Sequence, residues 1–211
     1  MSFQRKISKF RKDAKTIFID RDGVINKDPG GWTKFDYVTD FRDFHFLPGS
    51  LEALKLLNDN GVRVIIVSNQ AGVSRGHFSK GELDAVNSKM LDEIGKRGGR
   101  IEAVYYCVHR DDDNCRCRKP KAGMLEDAAK RFNIKLEEAY MIGDSHVDIG
   151  AGKTAGARTI FVLSGKMSLG ELRKRGENQD HVFGDLLEAV RWILSKEKRR
   201  FARAVKRKSE A

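Results

Sequence analysis

Three observations on this sequence predict an α/β fold with a doubly wound, mostly parallel sheet. Short apolar runs of strand length alternate with amphipathic segments of helical length, an order that calls for right-handed crossovers. The first run, Thr16 to Ile19, is β-branched and aromatic without alternation, as expected of a strand buried on both faces. Several runs stop on polar residues, and the carboxyl ends of strands are where open α/β sheets bind ligands.

The elements follow in order. The strand at Thr16 to Ile19 delivers Asp20-Arg21-Asp22-Gly23 into a turn. Ile25 to Phe46 has no clear period and contains Asp28-Pro29-Gly30-Gly31-Trp32, which reads as a loop or flap over that turn. Pro48 suits a first helical turn, Leu51, Leu54, Leu56 and Leu57 supply an apolar face, and Gly61 suits the stop. Val62 to Val67 is a second buried strand, ending on Ser68-Asn69-Gln70. Ser79-Lys80-Gly81-Glu82 fits a capping box that opens a helix to Lys96, with Gly98-Gly99 ending it. A third strand over Ile101 to Cys107 is followed by helical spacing from Lys121 to Phe132. A fourth strand, Ala139 to Ile142, ends on Gly143-Asp144. Val147 to Ala155 is helical in character, Thr159 to Leu163 is a fifth strand, and Leu186 to Leu194 a final amphipathic helix. There is no internal repeat.

A chain of 211 residues suits one α/β domain with small appendages. Its net charge of +11 sits at the two ends: residues 1–15 hold six Lys/Arg and one acid, and residues 195–211 hold eight Lys/Arg and two acids. The body between them is formally neutral, so the total does not demand a basic face on the fold. The expected division is a basic N-terminal segment (1–15), a catalytic domain (16–194) and a basic tail (195–211). The tail reads as a solvated arm, with a nucleic-acid partner as the less favoured alternative. No apolar run is long enough to span a membrane and no secretion signal is recognised, so a cytoplasmic protein is expected.

The strand ends carry the chemistry. Asp20 and Asp22 are close enough to repel, and a divalent cation resolves that conflict. Mg²⁺ takes oxygen ligands and commonly pairs one or two carboxylates with phosphate oxygens, which points to metal-assisted phosphoryl transfer. Taken alone, the acidic turn could equally be a loop of solvated acids. Lys119, alone, could be a surface lysine, Ser68 a capping residue, and Asp144 with Asp148 a helix entry. Pro120 disfavours helical geometry at Lys119 and gives its ammonium group a direction. Carboxylates, a hydroxyl, an amide and an oriented cation, in order at successive strand ends, are the parts phosphoryl transfer needs.

Asp20-Arg21-Asp22-Gly23-Val24, Ser68 after an apolar strand, Lys119, and Gly143-Asp144-Ser145-x-x-Asp148 together resemble the four motifs of the haloacid dehalogenase (HAD) superfamily of phosphatases. The resemblance covers roughly residues 16 to 165. It implies that Asp20 is the nucleophile and Asp22 the general acid and base. It also implies Mg²⁺ on Asp20, the Asp22 carbonyl and Asp144, with Ser68 and Lys119 steadying the phosphoryl group.

All three cysteines, Cys107, Cys115 and Cys117, lie with His109 inside eleven residues. Four such ligands suit a closed tetrahedral Zn²⁺ site, although single-residue spacing within each pair is tighter than the usual finger pattern. A labile disulfide, buried inert thiols and a redox pair are the competing readings, and a cytoplasmic compartment disfavours the first. A clamp running into Cys-Arg-Cys-Arg-Lys-Pro is similar to two capless branches of the superfamily, the heptose 1,7-bisphosphate 7-phosphatases and the histidinol-phosphate phosphatases. The Ser68 to Gly76 and Lys119 to Leu125 segments resemble the heptose branch more, while Val24 and Ser145 depart from its usual threonine and lysine. Too little chain is free for a cap domain. Substrate selection is therefore expected from Asp28 and Gly30 of the flap, Asn69 and Gln70, and Arg118 as a ligand for a second phosphate. The implied substrate is a small phosphorylated sugar and the expected oligomeric state a monomer. A polynucleotide 3′-phosphatase or nucleic-acid binding module is the reading from another class.

Overall fold

A computed structural model of the chain describes residues 2–3, 10, 14–176 and 178–196, with Ser2 and Phe3 described through their backbone. The basic N-terminal segment and basic tail fall mostly outside these residues. Seven strands form one sheet: β1 (Ser2–Phe3), β2 (Thr16–Ile19), β3 (Arg63–Asn69), β4 (Ala103–Cys107), β5 (Tyr140–Gly143), β6 (Arg158–Val162) and β7 (His181–Phe183), in the order β1-β4-β3-β2-β5-β6-β7. β4 through β7 run parallel, while β1 pairs antiparallel to β4 at the edge. From β2 the chain moves outward through β3 to β4, then returns to β5 on the other side of β2. The direction of winding therefore reverses at the carboxyl end of β2, where a crevice opens.

Register aligns what that crevice receives. Ile19 sits beside Ile66 of β3 and Ile142 of β5, so β2 and β5 end within a residue of one level, while β3 runs on, paired with β4, to Asn69. The β2 run is apolar throughout because both of its faces are covered. Ile17 and Ile19 belong to a core shared with α1 (Ser50–Asp59), α2 (Lys80–Lys96) and a helix over 186–196, α6. Phe18 faces the other way, into a core with Met124, Leu125 and Ala128 of α3 (Gly123–Phe132). Burying each such side chain contributes about 1.5–3 kcal/mol. A smaller cluster, Ile149, Phe161 and Leu172, seats α4 (His146–Thr154) and α5 (Leu169–Lys174).

The helix signals act as the sequence suggests. Ser79 Oγ accepts from Glu82 N at 3.1 Å and Ser79 N donates to Glu82 Oε2 at 2.6 Å, closing the box that starts α2. The flap between β2 and α1 is ordered by internal contacts, with Trp32 Nε1 donating to Asp28 O at 2.6 Å and Asn26 bridging to Phe46. β1, α5 and β7 lie outside the elements that the sequence predicts. The Ser168-x-x-Glu171 capping box that starts α5 was present in the sequence and would have revealed it. β7 is three residues long, and its strand character exists only through pairing with β6.

Candidate active site

Asp20 leaves β2 into the crevice, and its backbone N–H continues the sheet by donating to Ile142 O at 2.9 Å. Lys119 reaches it from the loop before α3. Its ammonium group lies 2.8 Å from Asp20 Oδ1 and 2.6 Å from Asp148 Oδ1, and donates to Val67 O at 2.9 Å. Asn69, at the end of β3, fixes this approach: Lys119 N donates to its Oδ1 and its Nδ2 donates to Lys119 O, both at 3.1 Å. The Lys119–Pro120 peptide is cis.

Asp148 also accepts from Ser145 N at 3.1 Å and from the Ser145 hydroxyl, so its two oxygens are divided between the lysine and the start of α4. That leaves Asp20 and Asp144 as the open carboxylates. Ligand oxygens of Asp20, Asp144 and Asp148 all lie within 4.8 Å of one another. Two glycines press against Asp144. A Cβ on Gly23, whose φ is +83°, or on Gly165 would collide with the Asp144 carboxylate. At Gly23 the left-handed backbone excludes other residues as well.

The charges do not balance internally. Burial pushes the Asp20 carboxyl up to about 7, against Lys119 and with Asp148 and Asp22 adding to the rise. Burial, followed by Asp148, Asp20 and Asp28, raises Asp144 well above the usual carboxylate range. Burial works against the Lys119 charge, but Asp148 and Asp20 outweigh it and raise its pKa. One ammonium group thus serves three buried carboxylates, and an all-oxygen donor set with surplus negative charge fits Mg²⁺.

Asp22 differs from its neighbours. Burial pushes its carboxyl up too, but the Arg21 charge and hydrogen bonds from Arg21, Asn26 and Gln70 outweigh burial and hold it below the usual range. Arg21 Nη2 lies 2.9 Å from Oδ2, Asn26 Nδ2 2.9 Å from Oδ1 and Gln70 Nε2 2.8 Å from Oδ2.

A cavity of about 380 Å³ lies over these groups, bordered by Asp20, Asp22, Asp28, Ser68, Lys119 and Asp144 among others. Its outer wall includes Phe35 and Tyr37 of the flap, with Phe35 stacked on His77 at 4.6 Å. Arg75 and Lys166 stand at its rim. Arg75 belongs to the Ser68 to Gly76 segment of the resemblance; Phe35, Tyr37 and Lys166 carry no sequence signal, because they come from aperiodic loops whose meeting depends on tertiary packing. Gly30 is exposed and donates its N–H to Asp28 Oδ1 at 2.8 Å. Gln70 is buried, with its amide on Asp22 and on Ser68 Oγ at 2.9 Å, so its polar contacts run beneath the cavity. Arg118 pairs with Asp111 and borders a second cavity of about 130 Å³ that shares Lys119 with the first.

Cys107, His109, Cys115 and Cys117 form one cluster. The sulfurs are 3.3, 3.5 and 3.6 Å apart, and His109 Nδ1 lies 3.2 Å from Cys117 Sγ and 3.5 Å from Cys107 Sγ. These are not disulfide distances, since a bonded pair would be about 2.0 Å apart. Tetrahedral Zn–S bonds of about 2.3 Å give sulfur–sulfur edges of roughly 3.8 Å, close to the spacing seen. Burial raises the Cys107 thiol pKa, and neighbouring thiols add to it, so a cation is the natural means of bringing the sulfurs together as thiolates. Arg110 ties the cluster's loop to Ser74 O at 2.7 and 3.1 Å, alongside the cavity.

Comparison with known proteins agrees with this geometry. A family model described as HAD-hydrolase-like matches residues 116–189. D-glycero-beta-D-manno-heptose-1,7-bisphosphate 7-phosphatase of Neisseria meningitidis is 36% identical over 182 residues, covering 85% of this chain and 95% of that protein. The protein of the same name from Haemophilus ducreyi is 37% identical over 189 residues, covering 85% and 98%. The crystal structure of D,D-heptose 1,7-bisphosphate phosphatase from B. bronchiseptica, complexed with magnesium and phosphate, superposes with a TM-score of 0.77 at 33% identity, covering 86% of this chain and 99% of that one.

Proposed function

Because the chain belongs to the HAD-like hydrolases, on the side of its heptose bisphosphate phosphatase relatives, we propose that it removes the 7-phosphate of D-glycero-D-manno-heptose 1,7-bisphosphate through an aspartyl-phosphate on Asp20. The observation that carries this is the Lys119 ammonium group, 2.8 Å from Asp20 and 2.6 Å from Asp148, beyond the carboxyl ends of β2 and β5. A lysine so paired cannot act as a base. It orients the nucleophile and neutralises charge on the transferring group.

Asp20 attacks phosphorus while the bond to the sugar oxygen breaks; Asp22, ionised in the free site, takes up a proton when the negatively charged substrate phosphate binds beside it and gives that proton to the leaving oxygen. Asp22, now ionised, takes a proton from water as the water oxygen bonds to phosphorus and Asp20 is released. Ser68 Oγ and Lys119 Nζ bind the non-bridging oxygens. Asp20, the Asp22 carbonyl and Asp144 would hold magnesium, which would supply charge neutralisation. Cys107, His109, Cys115 and Cys117 would hold zinc, which would stiffen the loop that carries Arg118 and Lys119. Asp28 and Gly30 belong to the flap that covers the sugar, and Arg118 serves the second phosphate. Asn69 lines the cavity and holds the Lys119 backbone, and Gln70 contributes indirectly, through Asp22. On this reading the enzyme is a cytoplasmic monomer whose thiols stay reduced. No described helix is long and apolar enough to cross a membrane.

Kinetics on both anomers of the heptose bisphosphate, histidinol phosphate and fructose 1,6-bisphosphate test the substrate. Highest kcat/KM on a heptose anomer is expected, and preference for histidinol phosphate would overturn the sugar assignment. Asp20→Asn should abolish turnover with the fold intact, and near-normal turnover would end the mechanism.

A further inference from the structure

Arg21 is the largest fully buried side chain in the described protein, and it lies between the two aspartates of the acidic turn. Its guanidinium is committed to Asp22, with Nε at 3.2 Å and Nη2 at 3.1 Å from Oδ1, and Nη2 at 2.9 Å from Oδ2. The remaining nitrogen, Nη1, donates to Asn87 Oδ1 at 3.3 Å. Asn87 is 1% exposed, in the stripe of α2 that also buries Leu83, Val86, Met90 and Ile94. An amide in such a stripe is costly without a partner. Leucine would suit the position better if packing were the only requirement. The partner it has is the far side of the Arg21 fork.

We propose that Arg21, braced by Asn87, is the positioning residue that aims the Asp22 carboxyl at the leaving-group oxygen; this rests on the phosphatase reading above. A two-pronged guanidinium restrains the carboxyl plane in a way that a point charge cannot. Asn87 anchors the fork to a helix of the core, so the acid is referenced to the scaffold rather than to its own turn. The Asp22 side chain keeps 16% exposure, on the side of the cavity.

The consequence depends on the leaving group. A sugar oxygen leaves as a strongly basic alkoxide and needs the Asp22 proton as its bond to phosphorus breaks. p-Nitrophenolate leaves as a stable anion and needs none. The test measures kcat/KM, which reports steps through P–O cleavage, for the heptose bisphosphate and for p-nitrophenyl phosphate in Arg21→Lys and Asn87→Ala. Near-ultraviolet circular dichroism and the inhibition constant of inorganic phosphate serve as controls. On the sugar phosphate, about a hundredfold loss is expected for Arg21→Lys and about tenfold for Asn87→Ala, with under about threefold change on the aryl ester and on phosphate inhibition. Asn87→Ala keeps the idea testable should the arginine variant not fold. Equal losses on both esters, or no loss in a folded variant, would overturn the clamp while leaving the phosphatase reading intact. A wild-type enzyme inert on the sugar phosphate would overturn both.

Discussion

Replacing Lys119 with methionine removes one charge and almost no volume, which isolates what the ammonium group does. Its side chain is 1% exposed and stands between Asp20 and Asp148, whose side chains are 12% and 0% exposed. Removing one member of a buried ion pair costs about 3–5 kcal/mol, because the remaining charge is stranded in low dielectric. Here two carboxylates are stranded and Asp144 is close by, so the upper part of that range applies. For a chain of this size about 2–4 °C accompanies each kcal/mol, so the midpoint of thermal unfolding should fall by on the order of 10 °C without magnesium. Saturating magnesium should recover part of that loss, since a cation among Asp20 and Asp144 replaces some of the missing positive charge. Turnover should fall by roughly 10²–10³-fold, the usual loss when one preorganised donor to a transferring group is deleted. The assays are differential scanning calorimetry with and without magnesium, and steady-state kinetics on the preferred substrate. A melting temperature within about 2 °C of wild type in metal-free buffer, or turnover within tenfold, would refute the idea that Lys119 is the charge on which this crevice depends.

Other perturbations probe separate parts of the molecule. Elemental analysis should give close to one zinc per chain, and Cys117→Ser should lose it together with several kcal/mol of stability, because metal binding to such a cluster is also folding free energy; a metal-free wild type of full stability would contradict this. Gly23→Ala forces a side chain into the left-handed region and onto Asp144, so it should cost about 1–2 kcal/mol in denaturant melts and weaken magnesium binding measured by calorimetry. Burial raises the Tyr106 phenol to about 12, helped by Asp84, which accepts its hydroxyl proton at 2.5 Å. Its neutral form is favoured in the fold, so its contribution is complete below the ordinary tyrosine value near 10 and is lost as pH rises to about 12. Urea midpoints measured across that window should fall more steeply in wild type than in Tyr106→Phe.

Much of this molecule is readable without coordinates because its strands are short, apolar on both faces and punctuated. Thr16 to Ile19, the run that becomes β3, and Tyr140 to Gly143 need no long-range information to be recognised as buried strands. The same holds for Ser79 with Glu82, a local exchange of hydrogen bonds. The strand-end residues Asp20, Ser68 and Asp144 were legible because parallel strands present their carboxyl ends on one side, so order along the chain becomes proximity in space. The sequence gives the position of Asn69 and Gln70 but not the direction of their amides: Asn69 lines the cavity as expected, while Gln70 is buried and does not. Their side chains bond to Lys119 and Asp22 because those backbone and carboxylate groups, once buried, need partners.

The sequence by itself determined the alternation of strand and helix, the acidic turn after β2, the clustering of Cys107, His109, Cys115 and Cys117, and the concentration of surplus charge at the ends. Each follows from local periodicity, spacing or composition. Only the tertiary structure decided which partners the buried charges take: Asp148 with Lys119 rather than as an open carboxylate, Arg21 with Asp22 and Asn87, Phe35 and Tyr37 as a wall of the cavity. The physical reason is that a charge or amide withdrawn from water must be paired wherever the packing of distant segments leaves a donor or acceptor, and that choice is made between residues dozens of positions apart.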